Sequence, residues 1–149
     1  MNTAMVDIQY MRKRHLDQVY NIEENSFSIP WSRGEFENEL RNPITIYIVA
    51  MDGDEVIGYA GLWHVVNEGH IVNVAVKPER RRQGVGALLI GKLVEIAVEK
   101  EMIGLTLEVR MSNAAGQRLY HKFGFKPEGI RRRYYEDTGE DAIIMWKYF

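Results

Sequence analysis

The chain has 149 residues, 46% hydrophobic and 27% charged, which suits one globular domain spanning 1–149 with a substantial core. Its formal net charge of −2 offers no global field to recruit nucleic acid, so any anion site has to be local. Cysteine is absent, which excludes disulfides, thiolate metal sites and a cysteine nucleophile, and no apolar run nears the roughly 18 residues of a membrane span.

The N-terminal segment lacks the charged-then-apolar layout of a signal peptide, so the expected location is cytoplasmic. Residues 6–10 alternate weakly and predict a first strand. Between 15 and 27, Leu16, Val19, Tyr20 and Ile22 fall at spacings that suit a helix. Ser32 with Glu35 three residues on is a capping-box pattern opening a short helix to Leu40. Pro43 closes it, because proline disfavours helical geometry in the residue before it. Residues 44–51 read as a strand, Asp52-Gly53 as a hairpin turn, 56–66 as the next strand and Asn67-Glu68-Gly69 as a second turn.

The stretch 71–100 organises the rest. Residues 71–76 are a β-branched apolar run that predicts a buried strand, stopped by Pro78. Arg80, Arg81 and Arg82 follow, then Gly84 and Gly86, which let backbone approach a ligand closely. From Val85 onward, Leu88, Leu89, Leu93, Ile96 and Ala97 recur at helical spacing. A strand, a basic glycine loop and a helix start together present bare N–H groups and a positive helix end to an anion. The loop is not a dinucleotide fingerprint, which needs a third glycine, nor a Walker loop, which needs Lys-Ser/Thr after the glycines. A plain solvated basic turn is the competing reading.

Residues 105–110 predict a strand parallel to 71–76, returned to it by a right-handed crossover. Ser112 and Asn113 are caps for a helix to about Lys122, and Gly124 ends it. Residues 125–135 and 142–149 predict a last strand pair around Asp137-Thr138-Gly139-Glu140. The fold class is mixed α/β, with an antiparallel meander in front of a parallel βαβ core.

The segment Arg81-Arg82-Gln83-Gly84-Val85-Gly86 matches Q/R-x-x-G-x-G/A, the acetyl-CoA signature of the GNAT superfamily of N-acetyltransferases, which the chain resembles along nearly its whole length. Three further stretches resemble its RimI-type members, which acetylate the N-terminus of a bacterial ribosomal protein: Ser28-Ile29-Pro30-Trp31-Ser32, Leu107-Glu108-Val109-Arg110-Met111-Ser112-Asn113-Ala114-Ala115, and Arg131-Arg132-Arg133-Tyr134-Tyr135 with Glu140-Asp141-Ala142-Ile143-Ile144-Met145. The resemblance implies a central, mostly antiparallel sheet of about six or seven strands with about four helices. It implies a cofactor pyrophosphate on backbone N–H groups of Arg82, Gln83, Gly84, Val85, Gly86 and Ala87. The pantetheine arm of acetyl-CoA would pair with Val74, Ala75 and Val76 like an added strand, with Asn113 as a further contact. No metal is implied. The acceptor would be the N-terminal alanine of a small-subunit ribosomal protein, with no direct contact to nucleic acid or membrane.

The chemistry needs a proton acceptor for the amine and a proton for the departing thiolate. A terminal α-amine has a pKa of about 7.7–8.0, so a modest base suffices. Alternation puts Leu105, Leu107 and Val109 on one face of their strand and Glu108 on the other. In RimI-type enzymes the glutamate of this L-E-V-R stretch is the general base, which points to Glu108. Tyr120, about 100° around the helix from Leu119, is the matching general acid, since a phenol can donate without prior charge. Phe27, Trp31, Tyr134 and Tyr135 supply aromatics for a slot that takes a peptide N-terminus, with local packing as the competing reading, and Glu23, Glu24 and Glu140 are carboxylates that either attract a basic peptide or are simply solvated. His15, His64, His70 and His121 show no metal-ligand spacing. Without a cysteine, direct transfer in a ternary complex is expected. The rival readings are transfer to a small-molecule amine or lysine side chain, and a non-catalytic acyl-CoA-binding module.

Overall fold

The computed structural model describes residues 5–149. In chain order its elements are β1 (Val6–Tyr10), α1 (Leu16–Ser26), α2 (Arg33–Arg41), β2 (Thr45–Asp52), β3 (Glu55–Val65), β4 (Glu68–Val76), α3 (Val85–Glu99), β5 (Gly104–Arg110), α4 (Ala114–Lys122), β6 (Lys126–Arg131) and β7 (Ala142–Tyr148). The strands form one sheet in the order β1-β2-β3-β4-β5-β7-β6. Every pairing is antiparallel except β4 with β5, the pair joined through α3.

Local chemistry explains the helix starts. Ser32 Oγ accepts from Glu35 N at 3.1 Å while Glu35 Oε1 accepts from Ser32 N at 3.2 Å, the reciprocal box expected for α2. Asn113 Oδ1 accepts from Gly116 N at 2.9 Å and caps α4. Helix α3 has no side-chain cap; its N-cap is Gly84, in the left-handed region at φ 84°.

Each face of the sheet carries its own core. Helix α3 packs on one face, where Leu62, Ile71, Leu89, Leu93, Leu105 and Leu107 are buried together. Helices α1 and α2 cover the other over β2, β3 and β4, with Leu16, Val19, Phe36, Tyr47 and Tyr59 as its centre. A β-carbon on Gly61 would overlap the Tyr47 ring at 2.2 Å, so that position has to be glycine.

Two boundaries differ from the sequence expectation. The turn before β4 is Val66-Asn67, because Val65 pairs directly with Glu68, so His70 lies inside the strand. Strand β6 stops at Arg131, four residues short of the expected end. Arg133 turns to φ 52°, and its N–H donates to Asp141 Oδ1 at 2.9 Å, which removes it from the ladder.

Candidate active site

Strands β4 and β5 pair only over Glu68–Gly104, Gly69–Leu105 and His70–Thr106, then separate. The cause is visible on the β3 side. Gly61 pairs with Asn73 and Leu62 with Ile71, leaving Val72 as an extra residue. Such a bulge bends and twists its strand, here just where the parallel pairing ends.

Lys77 N donates to Ile57 O at 2.8 Å, and antiparallel bonding repeats every second residue. The peptide groups of Ala75 therefore point to β3, opposite Tyr59, while those of Val74 and Val76 point to the opened edge. Of the three residues expected to hold the pantetheine arm, Val74 and Val76 offer backbone to the gap and Ala75 does not. Arg81 Nε donates to Val76 O at 3.0 Å, which joins the glycine loop to this edge.

The loop itself presents unpaired backbone donors. Arg82 at φ 62° and Gly84 at φ 84° are both left-handed, and the first bond donated by α3 comes from Leu88 to Gly84 O. Among the described residues, Arg82 through Ala87 donate no backbone hydrogen bond. That set of free N–H groups at a helix N-terminus fits a pyrophosphate. A β-carbon on Gly86 would meet Leu119 at 3.3 Å, so this glycine lets α3 approach α4.

Glu108 projects from β5 onto the face opposite α3, and its side chain is 7% exposed. His70 Nε2 lies 2.9 Å from its Oε1, Tyr134 Oη donates to the same oxygen at 3.2 Å, and Arg131 Nε lies 3.9 Å from Oε2. Burial pushes the Glu108 pKa up, but the bond and charge of His70, the bond from Tyr134 and the Arg131 charge outweigh it. The net shift is downward. Glu108 is thus ionised at neutral pH and acts only as an acceptor, so His70 Nε2 carries the proton between them.

Tyr120 lies on α4 with its ring 5.9 Å from that of Phe125. Burial raises its pKa to about 12. Its hydroxyl makes no hydrogen bond among the described residues, which leaves a protonated donor free for a ligand. Tyr135 senses both groups: burial, with Tyr134, Glu108 and Tyr120 against Arg110, raises its pKa to about 12.

The expected aromatic walls are positioned by a charged brace. Arg110 donates to both oxygens of Asp137 at 3.0 and 2.8 Å and to Glu140 Oε1 at 3.3 Å, and it stacks 3.9 Å over the Tyr135 ring. Ser28 Oγ donates to Asp137 Oδ2, tying the loop that carries Phe27 to the loop that carries Tyr134 and Tyr135. Phe27 is 38% exposed. Trp31 is engaged elsewhere, its ring 5.4 Å from Phe36 at the margin of the second core.

Of the three acidic residues expected to attract a peptide, Glu24 is exposed, whereas Glu23 and Glu140 are engaged within the fold. Glu23 is 2% exposed and accepts from Tyr59 Oη, from Asn73 Nδ2 at 3.3 Å and from Trp31 N at 2.9 Å. Glu140 is bound by Arg110 and by Ser112 N at 2.6 Å. Glu23 therefore holds three elements together, and His70 buttresses Glu108; neither role was expected from sequence.

The sequence profile described as the Acetyltransferase (GNAT) family matches residues 16–125. The chain belongs to the GNAT acetyltransferase family. It is 46% identical over 140 residues to a Bacillus subtilis (strain 168) protein provisionally named a [ribosomal protein bS18]-alanine N-acetyltransferase, covering 93% of each chain. The crystal structure of the Escherichia coli ribosomal-protein-S18-alanine N-acetyltransferase is similar at a TM-score of 0.88 and 32% identity, covering 96% of this chain and 93% of that one. The Thermoplasma acidophilum PaiA N-acetyltransferase, crystallised in complex with coenzyme A, shares the GNAT fold at a TM-score of 0.81 and 20% identity, covering 97% of this chain and 99% of that one. The GNAT arrangement of sheet and helices expected from sequence is thereby shown, as is the acetyltransferase assignment.

Proposed function

We propose that this GNAT acetyltransferase moves the acetyl group of acetyl-CoA to the N-terminal alanine of ribosomal protein bS18, in a single ternary complex in the cytoplasm. The observation that carries the reading is Glu108: a buried, ionised carboxylate on β5, the strand that parts from β4. The names of the two closely matching relatives support the acceptor.

The free N–H groups of Arg82–Ala87 would hold the pyrophosphate, and the outward peptide groups of Val74 and Val76 the pantetheine arm. Asn113 would reach that arm through its amide N–H groups, since its Oδ1 already caps α4. When bound, the thioester supplies an electrophilic acyl carbon. Phe27, Tyr134 and Tyr135 would line the slot for the acceptor, with Trp31 backing the loop from the core.

As the N–C bond forms and the C–S bond breaks, Glu108 takes the amine proton, directly or through one water, and the Tyr120 hydroxyl gives its proton to the sulfur. An ionised carboxylate is a weak base, but the amine becomes strongly acidic as it is acylated, so a weak base is enough. No covalent acyl-enzyme is needed. The test is an acceptor screen with acetyl-CoA, using Ala-, Ser- and Met-starting peptides beside polyamines and lysine-containing peptides with blocked N-termini. Preferred turnover of the Ala-starting peptide at its α-amine is expected. Turnover of free or side-chain amines only would overturn the acceptor assignment, and acetyl-CoA binding without any turnover would favour a sensor.

A further inference from the structure

On the Glu108 face, α1 and α2 pack over β2, β3 and β4, and a row of rings crosses the sheet from β3 through β4 to β7. Trp63 of β3 pairs with His70 of β4, His70 with Thr106 of β5, and Thr106 with Trp146 of β7. Met145 is in the core beneath α3 and α4, so alternation turns Trp146 and Tyr148 to the Glu108 face. The rings of Trp63 and His70 meet edge to face at 6.0 Å, and those of Trp146 and Tyr148 stack in parallel at 5.3 Å. Tyr148 is 59% exposed although it ends a central part of the sheet. Three strand spacings of about 4.8 Å make the row about 14 Å long, the reach of roughly four extended residues.

Two further features say what lies there. The strip is continuous with the proposed base, because His70 touches Trp63 with its ring and Glu108 with its Nε2. It is also rimmed by carboxylates: Glu39 accepts from Trp63 Nε1 at 2.9 Å, Glu128 accepts from Tyr148 Oη at 2.9 Å, and Glu68 heads the same strand two residues before His70. Lys126 pairs with Trp146 in the β6–β7 ladder and Arg131 stands 3.9 Å from Glu108, so two cations flank the strip beside these three acids. Aromatic faces bordered by carboxylates suit lysine and arginine side chains, which can stack on a ring while pairing with an acid.

We infer that this strip is a second acceptor subsite, binding a basic stretch of the acceptor polypeptide that follows the N-terminal residue delivered to Glu108. The inference rests on the proposed peptide acceptor. It gives the exposed C-terminal aromatics a role that core packing does not, and it makes acceptor choice depend on more than the first residue.

The test compares kcat/KM for an Ala-starting tripeptide, an Ala-starting decapeptide with arginines at positions 3–8, and the same decapeptide with glutamates there. Wild type should favour the basic decapeptide over the tripeptide at least tenfold, through KM. Trp146→Ala and, as a surface variant with little risk to folding, Tyr148→Ser should bring that ratio towards one, and Glu128→Lys should lower it at low salt. Equal kcat/KM for tripeptide and basic decapeptide in wild type, or an unchanged ratio in the variants, would overturn the subsite while leaving the acetyl-transfer reading intact. A dimer seen by sedimentation and lost in Tyr148→Ser, with the ratio unchanged, would reassign the strip to a second copy of this chain. No turnover of any Ala-starting peptide would overturn both readings.

Discussion

His70 Nε2 sits 2.9 Å from Glu108 Oε1, across the last residue pair before β4 and β5 separate. Burial alone would push the Glu108 carboxyl up, and His70 leads the groups that pull it below the ordinary value of 4.5. The sign follows directly: a depressed carboxylate keeps its charge until pH falls through the lowered pKa, so the acid limb due to Glu108 should lie well below neutrality, beneath the rise that the acceptor amine's own titration sets. In His70→Leu the burial effect is left less opposed and the acid limb should move up. For every pH unit that the limb moves, the rate at a fixed pH on it should fall about tenfold. A pH profile of kcat under saturating acetyl-CoA reads this; an unmoved acid limb would show that His70 does not tune Glu108.

Glu23 joins β3, β4 and the loop before α2 through Tyr59, Asn73 and Trp31. Glu23→Ala would leave a buried hydroxyl and a buried amide unpaired, at a cost of about 3 kcal/mol. Denaturant unfolding should show that loss, with a smaller one for Glu23→Gln, and KM for the peptide should rise because Trp31 loses its anchor. Wild-type stability in Glu23→Ala would contradict the role.

Gly84 is left-handed at the N-cap of α3, where a side chain adds about 1–2 kcal/mol of backbone strain. Gly84→Val should therefore fold with a modest drop in stability but bind acetyl-CoA more than about tenfold more weakly, because the free N–H groups no longer converge. Calorimetric titration with acetyl-CoA separates the two effects. Unchanged affinity would move the pyrophosphate away from this loop.

The Tyr120 hydroxyl has no bonding partner among the described residues, so Tyr120→Phe should leave stability nearly unchanged while the ring still packs on Phe125. Acetyl transfer in single-turnover experiments should slow by about 100-fold. Because the phenol is held at about 12, the wild-type rate should rise through the acceptor amine's titration, at about pH 8, and show no alkaline fall to pH 10. A wild-type single-turnover rate in Tyr120→Phe would reject it as the proton donor.

Much of this was legible in the sequence, for physical reasons. Gly84 and Gly86 after an apolar run declare a tight, ligand-facing loop, and Glu108 between Leu107 and Val109 declares its own face of the strand. His70 was not legible, because the turn read at 67–69 left it outside a strand that begins at Glu68. The extra residue at Val72 also resets alternation, so residues 74–76 cannot reveal which way His70 points. Locating the two-residue turn at Val66-Asn67 would have been the missing signal. Glu23 depends on partners 36 and 50 residues away, which no local pattern records.

The central claim is that Glu108 takes the proton from the acceptor amine, and Glu108→Gln tests it most directly. Glutamine keeps the shape and can still accept from His70 and Tyr134, but it cannot take up the proton. The measurement is kcat with an Ala-starting peptide from pH 6 to 10, beside the dissociation constant for acetyl-CoA. The account predicts a loss of about 100-fold or more in kcat with acetyl-CoA affinity within about twofold of wild type. Unchanged turnover across that pH range would contradict it.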